Sequence, residues 1–315
     1  MKSDYSNIYS FNKKTLTKTL RDLNKGEIAG LPTETVYGLA GNAYSSKAVK
    51  KIFGLKKRPK KNPLIIHYYN IISINKDVVI SKNFVKLYKK FCPGPLTFIL
   101  KKSKNSKIVK KATAGLKTIA IRFPSHKIVR SILKYSNFPL AMPSANISTR
   151  LSPVNAIDVF EDFGKKINII IDGGKSKIGI ESTVIDLTGK PKILRPGVFG
   201  YQDFKKILKV NSYKKSKLIK SPGMLEKHYS PGIPIILNKN PKNKSDAHII
   251  FGNKFKGKKN KFNLSKKANL NEAASNLYKI LRDIKNKGYK KIYVSKIPNT
   301  GPGIAINDRL RKAAK

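Results

Sequence analysis

The chain has 315 residues, 40% of them hydrophobic, which suffices for the cores of one or two globular domains. A single cysteine excludes an intrachain disulfide and a multi-cysteine metal site. No apolar run approaches the roughly 18 residues of a membrane helix, and residues 1–14 lack the apolar stretch of a signal peptide. We therefore expect a cytoplasmic protein with no membrane contact.

The formal net charge of +50 has two explanations that composition does not separate. Such an excess is typical of proteins with polyanionic partners, either nucleic acid or nucleotide. Only nine of the 67 basic residues are arginine, although phosphate-binding sites favour the forked guanidinium group. The abundance of Lys, Asn and Ile is also what A/T-rich codons produce. The charge thus indicates an anionic partner or compositional drift.

Alternating helix-like and strand-like segments predict an α/β fold for residues 1–210. Helical spacing of apolar residues is found in segments 13–25, 45–57 (with Ser45 as N-cap), 82–91 and 125–135. Short apolar runs predict strands at 27–31, 63–67, 96–101, 118–123, 138–142, 167–171, 182–187 and 191–195. The crowding of strands near the end of this region favours a mixed sheet over a purely parallel one.

The last third of the chain predicts a linker and a second, smaller α/β unit. Residues 211–232 lose periodicity and gain Ser, Pro, Gly and Lys, as linkers do. In residues 233–315 we predict strands at 233–237, 248–251 and 291–294, and helices at 270–286 and 304–314. The lysine-rich segment 254–262 is predicted to be a solvated loop.

Two segments near the N-terminus carry residues suited to a small polar ligand. GLPTETVYGLAGNA (30–43) places Thr33, Thr35 and Tyr37 after a strand, where α/β sheets usually present a ligand site, although an ordinary Pro–Thr turn would look similar. KKRPKKNPL (56–64) gathers five cations in a Pro-braced loop, which fits a triphosphate clamp. A helix C-terminus also attracts cations without any ligand. The sequence contains no Walker A motif, which excludes a P-loop mechanism.

Four further segments carry candidate ligand-binding features: a buried cation, small hydroxyl groups and part of the predicted linker. Arg122 lies inside the apolar run 118–123, and a buried arginine needs an anionic partner. An acidic residue of the fold and a bound carboxylate would serve equally. AMPSANIS (141–148) and GIESTVID (179–186) permit close backbone approach to a phosphate or adenine. SPGMLEKHYSP (221–231) contains Met, His and Tyr, which a simple tether between domains would not need. We therefore expect this segment to fold over a ligand.

Together, these motifs resemble the YrdC-like family. PTETVYGL, KKRPKKNPL, PGPLTFIL, IAIRFP, PSAN and ESTVIDL occur in the family's order across about residues 13–200. SPGMLEKHYSP and GPGIAINDRLRKAA resemble the linker and the C-terminal end of its two-domain threonylcarbamoyladenylate synthase branch. The resemblance implies a YrdC-like catalytic domain with a twisted mixed sheet (1–210), a linker or lid (211–232) and a smaller Rossmann-like α/β domain (233–315).

The resemblance implies synthesis of L-threonylcarbamoyl-AMP from L-threonine, bicarbonate or CO2, and ATP, with release of pyrophosphate. The product would serve threonylcarbamoyladenosine modification of tRNA next to the anticodon, through a downstream transferase machinery, and weak RNA binding is a further expectation. We predict no covalent intermediate and no single catalytic residue, because positioning and charge neutralisation supply the acceleration. Mg2+ is expected to enter on the triphosphate, with no metal site of protein ligands.

The resemblance also assigns individual residues to the two substrates. Threonine would be bound by Thr35, His67, Arg122 and Ser182 and by the backbone of Met142. ATP would be bound by Lys56, Arg58, Asn62, Thr118, Ser144, Asn146, Ser152, Arg195 and Tyr229. Because Tyr229 belongs to the linker, the linker would close over the nucleotide as a lid.

Two other functions fit the same fold. A non-catalytic RNA-binding protein would use a basic concave face, but it would have no need for SPGMLEKHYSP. Carbamoyl transfer in hydrogenase maturation is expected to bring zinc-finger and acylphosphatase-like segments, which this sequence does not show.

Overall fold

Two β-sheets organise the computed structural model, which describes residues 5–211, 228–241, 245–253 and 260–315. The first sheet and its helices occupy residues 8–205 and are called the N-terminal unit below. The second sheet and its helices occupy residues 235–313 and are called the C-terminal unit. Of the predicted linker 211–232, residues 212–227 lie outside the described residues, and the division into domains stays a prediction.

The sheet of the N-terminal unit is mixed, as the sequence predicts. Its ten strands are β1 (Ile8–Ser10), β2 (Ala29–Leu31), β3 (Gly38–Asn42), β4 (Ile65–His67), β5 (Leu96–Lys101), β6 (Thr118–Arg122), β7 (Leu140–Ala141), β8 (Ile169–Asp172), β9 (Thr183–Asp186) and β10 (Lys192–Arg195). Their spatial order is β1-β8-β2-β3-β7-β4-β6-β5-β9-β10. Strand β6 pairs parallel with β4 and antiparallel with β5, so both ladder types meet near the centre.

Six helices accompany this sheet: α1 (Lys13–Asn24), α2 (Ser46–Leu55), α3 (Lys82–Phe91), α4 (Lys127–Tyr135), α5 (Ala156–Phe163) and α6 (Tyr201–Lys205). The predicted N-cap of α2 is confirmed, because the Ser45 hydroxyl accepts a hydrogen bond from the backbone N–H of Ala48 at 3.2 Å. Aromatic side chains fill the core, where the rings of Phe84 and Phe98 meet edge to face at 5.0 Å.

The C-terminal unit is a parallel four-stranded sheet packed by two helices. Its elements are β11 (Ile235–Leu237), β12 (Ala247–Ile250), β13 (Lys261–Asn263), α7 (Leu270–Asn286), β14 (Ile292–Val294) and α8 (Pro302–Ala313). The strand order is β11-β14-β12-β13, and every pair is parallel. Buried residues of the two helices, including Leu277, Leu281 and Ile306, form its core with the strands. The predicted second α/β unit is confirmed.

Several short elements were not predicted. Strands β1, β3 and β13 and helices α5 and α6 were missed. The solvated-loop prediction for 254–262 is wrong at its end, because Lys261 and Phe262 pair with β12, and residues 254–259 lie outside the described residues. A three-residue strand shows too little alternation to be recognised without its partner. Within the described ranges, no helix is long and apolar enough to cross a membrane.

Candidate active site

A pocket opens where loops of the N-terminal unit meet residues 228 and 229. His67 and Arg122 end the adjacent parallel strands β4 and β6 in register, so both side chains reach the same sheet edge. The lining consists of Thr33, Thr35, Val36, Tyr37, Gly38, Arg58, Ile65, His67, Arg122, Met142, Pro143, Ser144, Glu181, Ser182, Arg195, His228 and Tyr229.

Arg122 lies at one end of the pocket, which we call the carboxylate end. Its Nη2 donates to Glu34 Oε1 at 2.7 Å, and its Nη1 donates to the Thr35 hydroxyl at 2.8 Å. An acidic residue of the fold therefore pairs with Arg122, which was one of the two alternatives. Among the described residues its buried Nε has no hydrogen-bond partner, and each Nη carries a second N–H, so donors of the guanidinium remain for a ligand.

His67 lies beside Arg122 and is uncharged. Burial and the positive charge of Arg122 lower the pKa of His67 well below its usual value. Its Nδ1 lies 3.3 Å from the carbonyl oxygen of Ile65. A neutral imidazole next to the arginine can contact an amine without repelling it.

The PTETV turn between β2 and β3 is braced by its own hydroxyl groups. The Thr33 hydroxyl donates to the Val36 carbonyl at 2.6 Å and lies 2.8 Å from Thr35 Oγ1. The Tyr37 hydroxyl donates to the Gly174 carbonyl at 2.8 Å, and burial raises the pKa of Tyr37. Tyr37 therefore lines the pocket with its ring while its hydroxyl anchors the turn.

Met142 and Gly38 allow two backbone segments to approach closely. A β-carbon at Gly38 would clash with Met142 Cγ, so a larger residue would displace this wall. The Met142 N–H donates to the Ile65 carbonyl at 3.0 Å. Any backbone contact from Met142 to a ligand would thus use its carbonyl oxygen, which accepts from a donor such as an amine.

Buried cations occupy a second part of the pocket, which we call the phosphate end. Lys56 is 1% exposed and Arg58 is 8% exposed. Lys56 donates to the carbonyl oxygens of Ser144 and Asn146, and Arg58 donates to the backbone and side-chain oxygens of Asn62 and to the Pro63 carbonyl. Within the described ranges these acceptors are neutral oxygens, so neither charge is balanced by a carboxylate.

The pKa values of Arg58 and Lys56 are lowered, because burial and nearby positive charges disfavour their charged forms. Burial, followed by repulsion from Arg195, lowers the pKa of Arg58 to about 9. Burial and the charge of Arg58 lower the pKa of Lys56 well below its usual value. Buried like charges are costly unless an anion joins them. The arrangement is suited to a polyanion.

Ser182 and Arg195 form a further wall of the pocket. Arg195 Nη2 donates to the Ser182 hydroxyl at 3.0 Å, and its Nε donates to the Ser182 carbonyl at 3.0 Å. The Ser182 hydroxyl also lies 2.8 Å from Thr97 Oγ1. Gly197 permits this arrangement, because a β-carbon there would clash with the Thr183 backbone nitrogen.

His228 and Tyr229 cover the pocket from the far end of the predicted linker. Both are buried, and Tyr229 has a left-handed backbone with φ +64°. Within the part of the chain that the structure describes, the Tyr229 hydroxyl and His228 Nδ1 have no hydrogen-bond partner. Burial, assisted by the charges of Arg58 and Lys56, lowers the pKa of His228 to about 3 although Glu181 opposes this shift.

Most of the predicted site residues come together here. Those that line the pocket are Thr35, Arg58, His67, Arg122, Met142, Ser144, Ser182, Arg195 and Tyr229. Lys56, Asn62, Asn146 and Ser152 lie behind the lining and bond to it or to its neighbours. Thr118 is not brought to the pocket: it begins β6, opposite Lys101, four residues before Arg122. The ligand assigned to each residue stays a prediction.

Two carboxylates and two C-terminal residues were missed as parts of the site. Glu34 pairs with Arg122, and Glu181 accepts from Tyr278 and Arg309. Both glutamates lie within motifs that the sequence analysis quoted, PTETV and ESTVID, so their burial beside an arginine could have been proposed. No spacing pattern pointed from Glu181 to α7 or α8.

Comparison with known proteins agrees with this architecture. Residues 21–197 match the Sua5/YciO/YrdC family model, described as telomere recombination, and residues 198–315 match the model for the C-terminal domain of threonylcarbamoyl-AMP synthase. The chain belongs to this family. The predicted resemblance to two-domain members is therefore confirmed.

Relatives that match over more than nine-tenths of their length are named threonylcarbamoyl-AMP synthase. A threonylcarbamoyl-AMP synthase of Pyrococcus abyssi is 39% identical, covering 93% of this chain and 92% of its own. One from Bacillus subtilis is 34% identical, covering 99% and 96%. The crystal structure of P. abyssi Sua5 complexed with L-threonine superposes with a TM-score of 0.88 at 35% identity, covering 98% of this chain and 96% of that one. Escherichia coli YciO, 22% identical with a TM-score of 0.55, shares the fold.

Proposed function

We propose that this protein synthesises L-threonylcarbamoyl-AMP from L-threonine, bicarbonate or CO2, and ATP, with release of pyrophosphate. The observation that carries the proposal is the division of one pocket into two ends. One end has an arginine with an unused donor beside a neutral histidine, and at the other Lys56 and Arg58 donate, among the described residues, to neutral oxygens. The relatives named threonylcarbamoyl-AMP synthase and the relative crystallised with L-threonine support it.

At the carboxylate end, threonine would use the free Nε of Arg122. A charge-assisted hydrogen bond to the substrate carboxylate would satisfy this buried donor. The Met142 carbonyl would accept from the amine, and neutral His67 would leave that amine free of a competing positive charge. Thr35 and Ser182 would offer hydroxyl groups to the remaining polar atoms of the amino acid.

At the phosphate end, the triphosphate of ATP would replace the missing counter-charge of Lys56 and Arg58. Ser144 and Arg195 line the same end, and Tyr229 closes it with its ring. Neutralising buried cations with phosphate oxygens relieves the cost that lowers the pKa of Arg58. The predicted contacts of Asn62, Asn146 and Ser152 would act through the residues that they hold.

The chemistry then requires positioning more than a reactive side chain. The neutral threonine amine attacks CO2 to form a carbamate and gives up a proton, which balances the proton consumed when bicarbonate loses water to form CO2. A carbamate oxygen attacks the α-phosphorus of ATP as the bond to the leaving pyrophosphate breaks. Cations aimed at the phosphates stabilise the charge that develops on them, and the shared pocket removes the entropic cost of bringing the reactants together.

Mg2+ is proposed to arrive bound to ATP. Within the described ranges, no group of three His, Cys, Asp or Glu side chains is placed to hold a metal ion. Glu181, which lines the pocket, already accepts from Ser152, Tyr278 and Arg309. When bound, Mg2+ would neutralise phosphate charge, and the protein's own cations would act on the oxygens that it leaves free.

The labile product is proposed to pass to a tRNA-modification transferase in the cytoplasm. The alternative of a non-catalytic RNA-binding protein is less well supported, because the pocket's cations are buried rather than displayed on a surface. Weak RNA binding through the exposed lysines remains compatible with the synthase.

The test is pyrophosphate release from ATP by the purified full chain. We expect release to require both L-threonine and bicarbonate, and we expect threonylcarbamoyl-AMP to be the nucleotide product by mass spectrometry. L-Serine in place of threonine tests the substrate assignment. Release that is unaffected by omission of threonine, or that occurs with serine but not threonine, would contradict the proposal.

A further inference from the structure

Glu181 lines the pocket, but its carboxylate is held from the C-terminal unit. Its Oε2 accepts from Arg309 Nε at 2.9 Å, and the Tyr278 hydroxyl lies 3.0 and 3.1 Å from its two oxygens. From the N-terminal unit, Ser152 Oγ donates to Oε1 at 2.5 Å. Burial alone would raise the pKa of Glu181, yet the charges of Arg309 and Arg195 and the bonds from Ser152 and Arg309 lower it to about 2.

Arg309 is placed to hold more than this carboxylate. It is 1% exposed, and its Nη1 donates to the Pro196 carbonyl at 2.9 Å, directly after Arg195. Its guanidinium lies over the Tyr229 ring, 5.3 Å from the centroid. One side chain of α8 thus contacts three segments that line the phosphate end.

Tyr278 completes the same cluster from α7. Its ring stacks on Tyr229, with centroids 5.8 Å apart and planes at 24°. It is fully buried, and its hydroxyl is directed to Glu181. The Tyr229 ring therefore lies between the pocket and two side chains of the C-terminal unit.

Among the described residues, the Arg122 side chain has no polar contact with the C-terminal unit, although Val36 of the neighbouring turn packs into the core cluster of that unit. Arg122 is held by Glu34 and Thr35, both from the β2–β3 turn. Loss of the C-terminal contacts should therefore disturb the two ends unequally. A change limited to the phosphate end distinguishes positioning from general destabilisation.

We propose that Tyr278 and Arg309 are positioning residues of the active site. Through Glu181, Pro196 and Tyr229, they hold the nucleotide-binding wall in place. This gives the C-terminal unit a part in ATP binding, and the inference rests on the proposed function. Neither residue needs to touch ATP itself.

The experiment measures the KM of ATP, the KM of threonine and kcat for Arg309→Lys and Tyr278→Phe in the full chain. Lysine keeps the positive charge, but its single nitrogen cannot replace the two hydrogen bonds that Arg309 donates to Glu181 and to the Pro196 carbonyl. We therefore expect the KM of ATP to rise about tenfold or more. Phenylalanine removes one donor and keeps the ring, so we expect a rise of about threefold or more. The KM of threonine should change less than about threefold in both.

The matched control is Arg311→Gln, an exposed arginine two residues further along α8. We expect it to behave like the wild-type chain. Unchanged KM values for ATP in both variants, or equal rises in the KM of ATP and of threonine, would overturn the inference. If Arg309→Lys does not fold, Tyr278→Phe decides, because it removes a single oxygen.

Direct calorimetry with a non-hydrolysable ATP analogue separates this inference from the proposed function. A wild-type chain that binds the analogue but releases no threonine-dependent pyrophosphate would refute the proposed reaction. Weaker analogue binding by Arg309→Lys and Tyr278→Phe would still support the positioning role. Equal binding by the wild-type chain and both variants, or none by any of them, would refute it.

Discussion

Replacing Arg122 by lysine tests the carboxylate end most directly. The arginine uses Nη2 for Glu34 and Nη1 for Thr35, and its Nε is left over. Lysine retains a positive charge for the buried Glu34 but has one terminal nitrogen. Alanine would leave Glu34 as an unpaired buried anion, at a cost of about 3–5 kcal/mol in stability. The lysine variant therefore isolates binding from folding.

The expected loss is that of one charge-assisted hydrogen bond to the threonine carboxylate. Such bonds contribute about 1.5–3 kcal/mol, and each 1.4 kcal/mol is about tenfold in affinity. For Arg122→Lys we therefore expect the KM of threonine to rise about 10- to 150-fold. The KM of ATP should stay within about threefold, because Arg122 does not reach the phosphate end. The assay is pyrophosphate release with each substrate varied in turn.

The control variant is Arg130→Lys. Arg130 lies on α4 and donates to the Tyr69 and Pro124 carbonyls, outside the pocket lining. It should leave both KM values unchanged. An unchanged KM of threonine in Arg122→Lys would remove Arg122 from the substrate site. A parallel rise in both KM values would mean that the substitution distorts the whole pocket.

Three further measurements follow from the buried charges. Arg58→Gln should raise the KM of ATP about 10-fold or more, whereas exposed Lys60→Gln should leave it unchanged; equal KM values of ATP in the two variants would contradict the place of Arg58 at the phosphate end. ATP-dependent activity should persist at about 0.5 M salt, where surface binding of RNA is largely lost; parallel losses would argue against a buried site. Because the pKa of His228 is lowered to about 3, the folded protein keeps this imidazole neutral while the unfolded chain binds a proton below about pH 6.5. The free energy of unfolding should therefore fall by about 1 kcal/mol between pH 7.5 and pH 5.5, and His228→Asn should remove that change in urea titrations.

Amphipathic helices could be predicted almost to the residue, whereas short strands could not. Helices α3 and α7 have the bounds that their apolar spacing predicts. Strand β1 has three residues and pairs with β8, about 160 positions away. A helix carries its pattern within itself, but such a strand exists only because a distant partner supplies its hydrogen bonds.

The site residues divide in the same way, into those that lie in recognisable motifs and those whose contacts depend on residues far away in the sequence. The motifs PTETV and KKRPKKNPL, through the family resemblance that they carry, predict Thr35 and Arg58 as ligand-binding residues, and both line the pocket. The sequence leaves the partner of Arg122 open between an acid of the fold and a ligand, and the structure supplies Glu34 from 88 positions away. Arg309 bonds to Glu181 across 128 positions, a pairing that depends on how the C-terminal unit docks.

The two buried glutamates explain how one pocket can suit two different ligands. Glu34, which is not part of the pocket lining, forms a salt bridge with Arg122, so that this pair is nearly neutral while the guanidinium keeps unused donors. Glu181 lines the pocket but forms its salt bridge with Arg309, and among the described residues Lys56 and Arg58 donate hydrogen bonds to neutral oxygens. An amino acid brings a carboxylate and an amine, and it needs little net charge. A triphosphate brings several negative charges and needs the cations. On the proposed function, this difference in charge directs the amino acid to the carboxylate end and the triphosphate to the phosphate end.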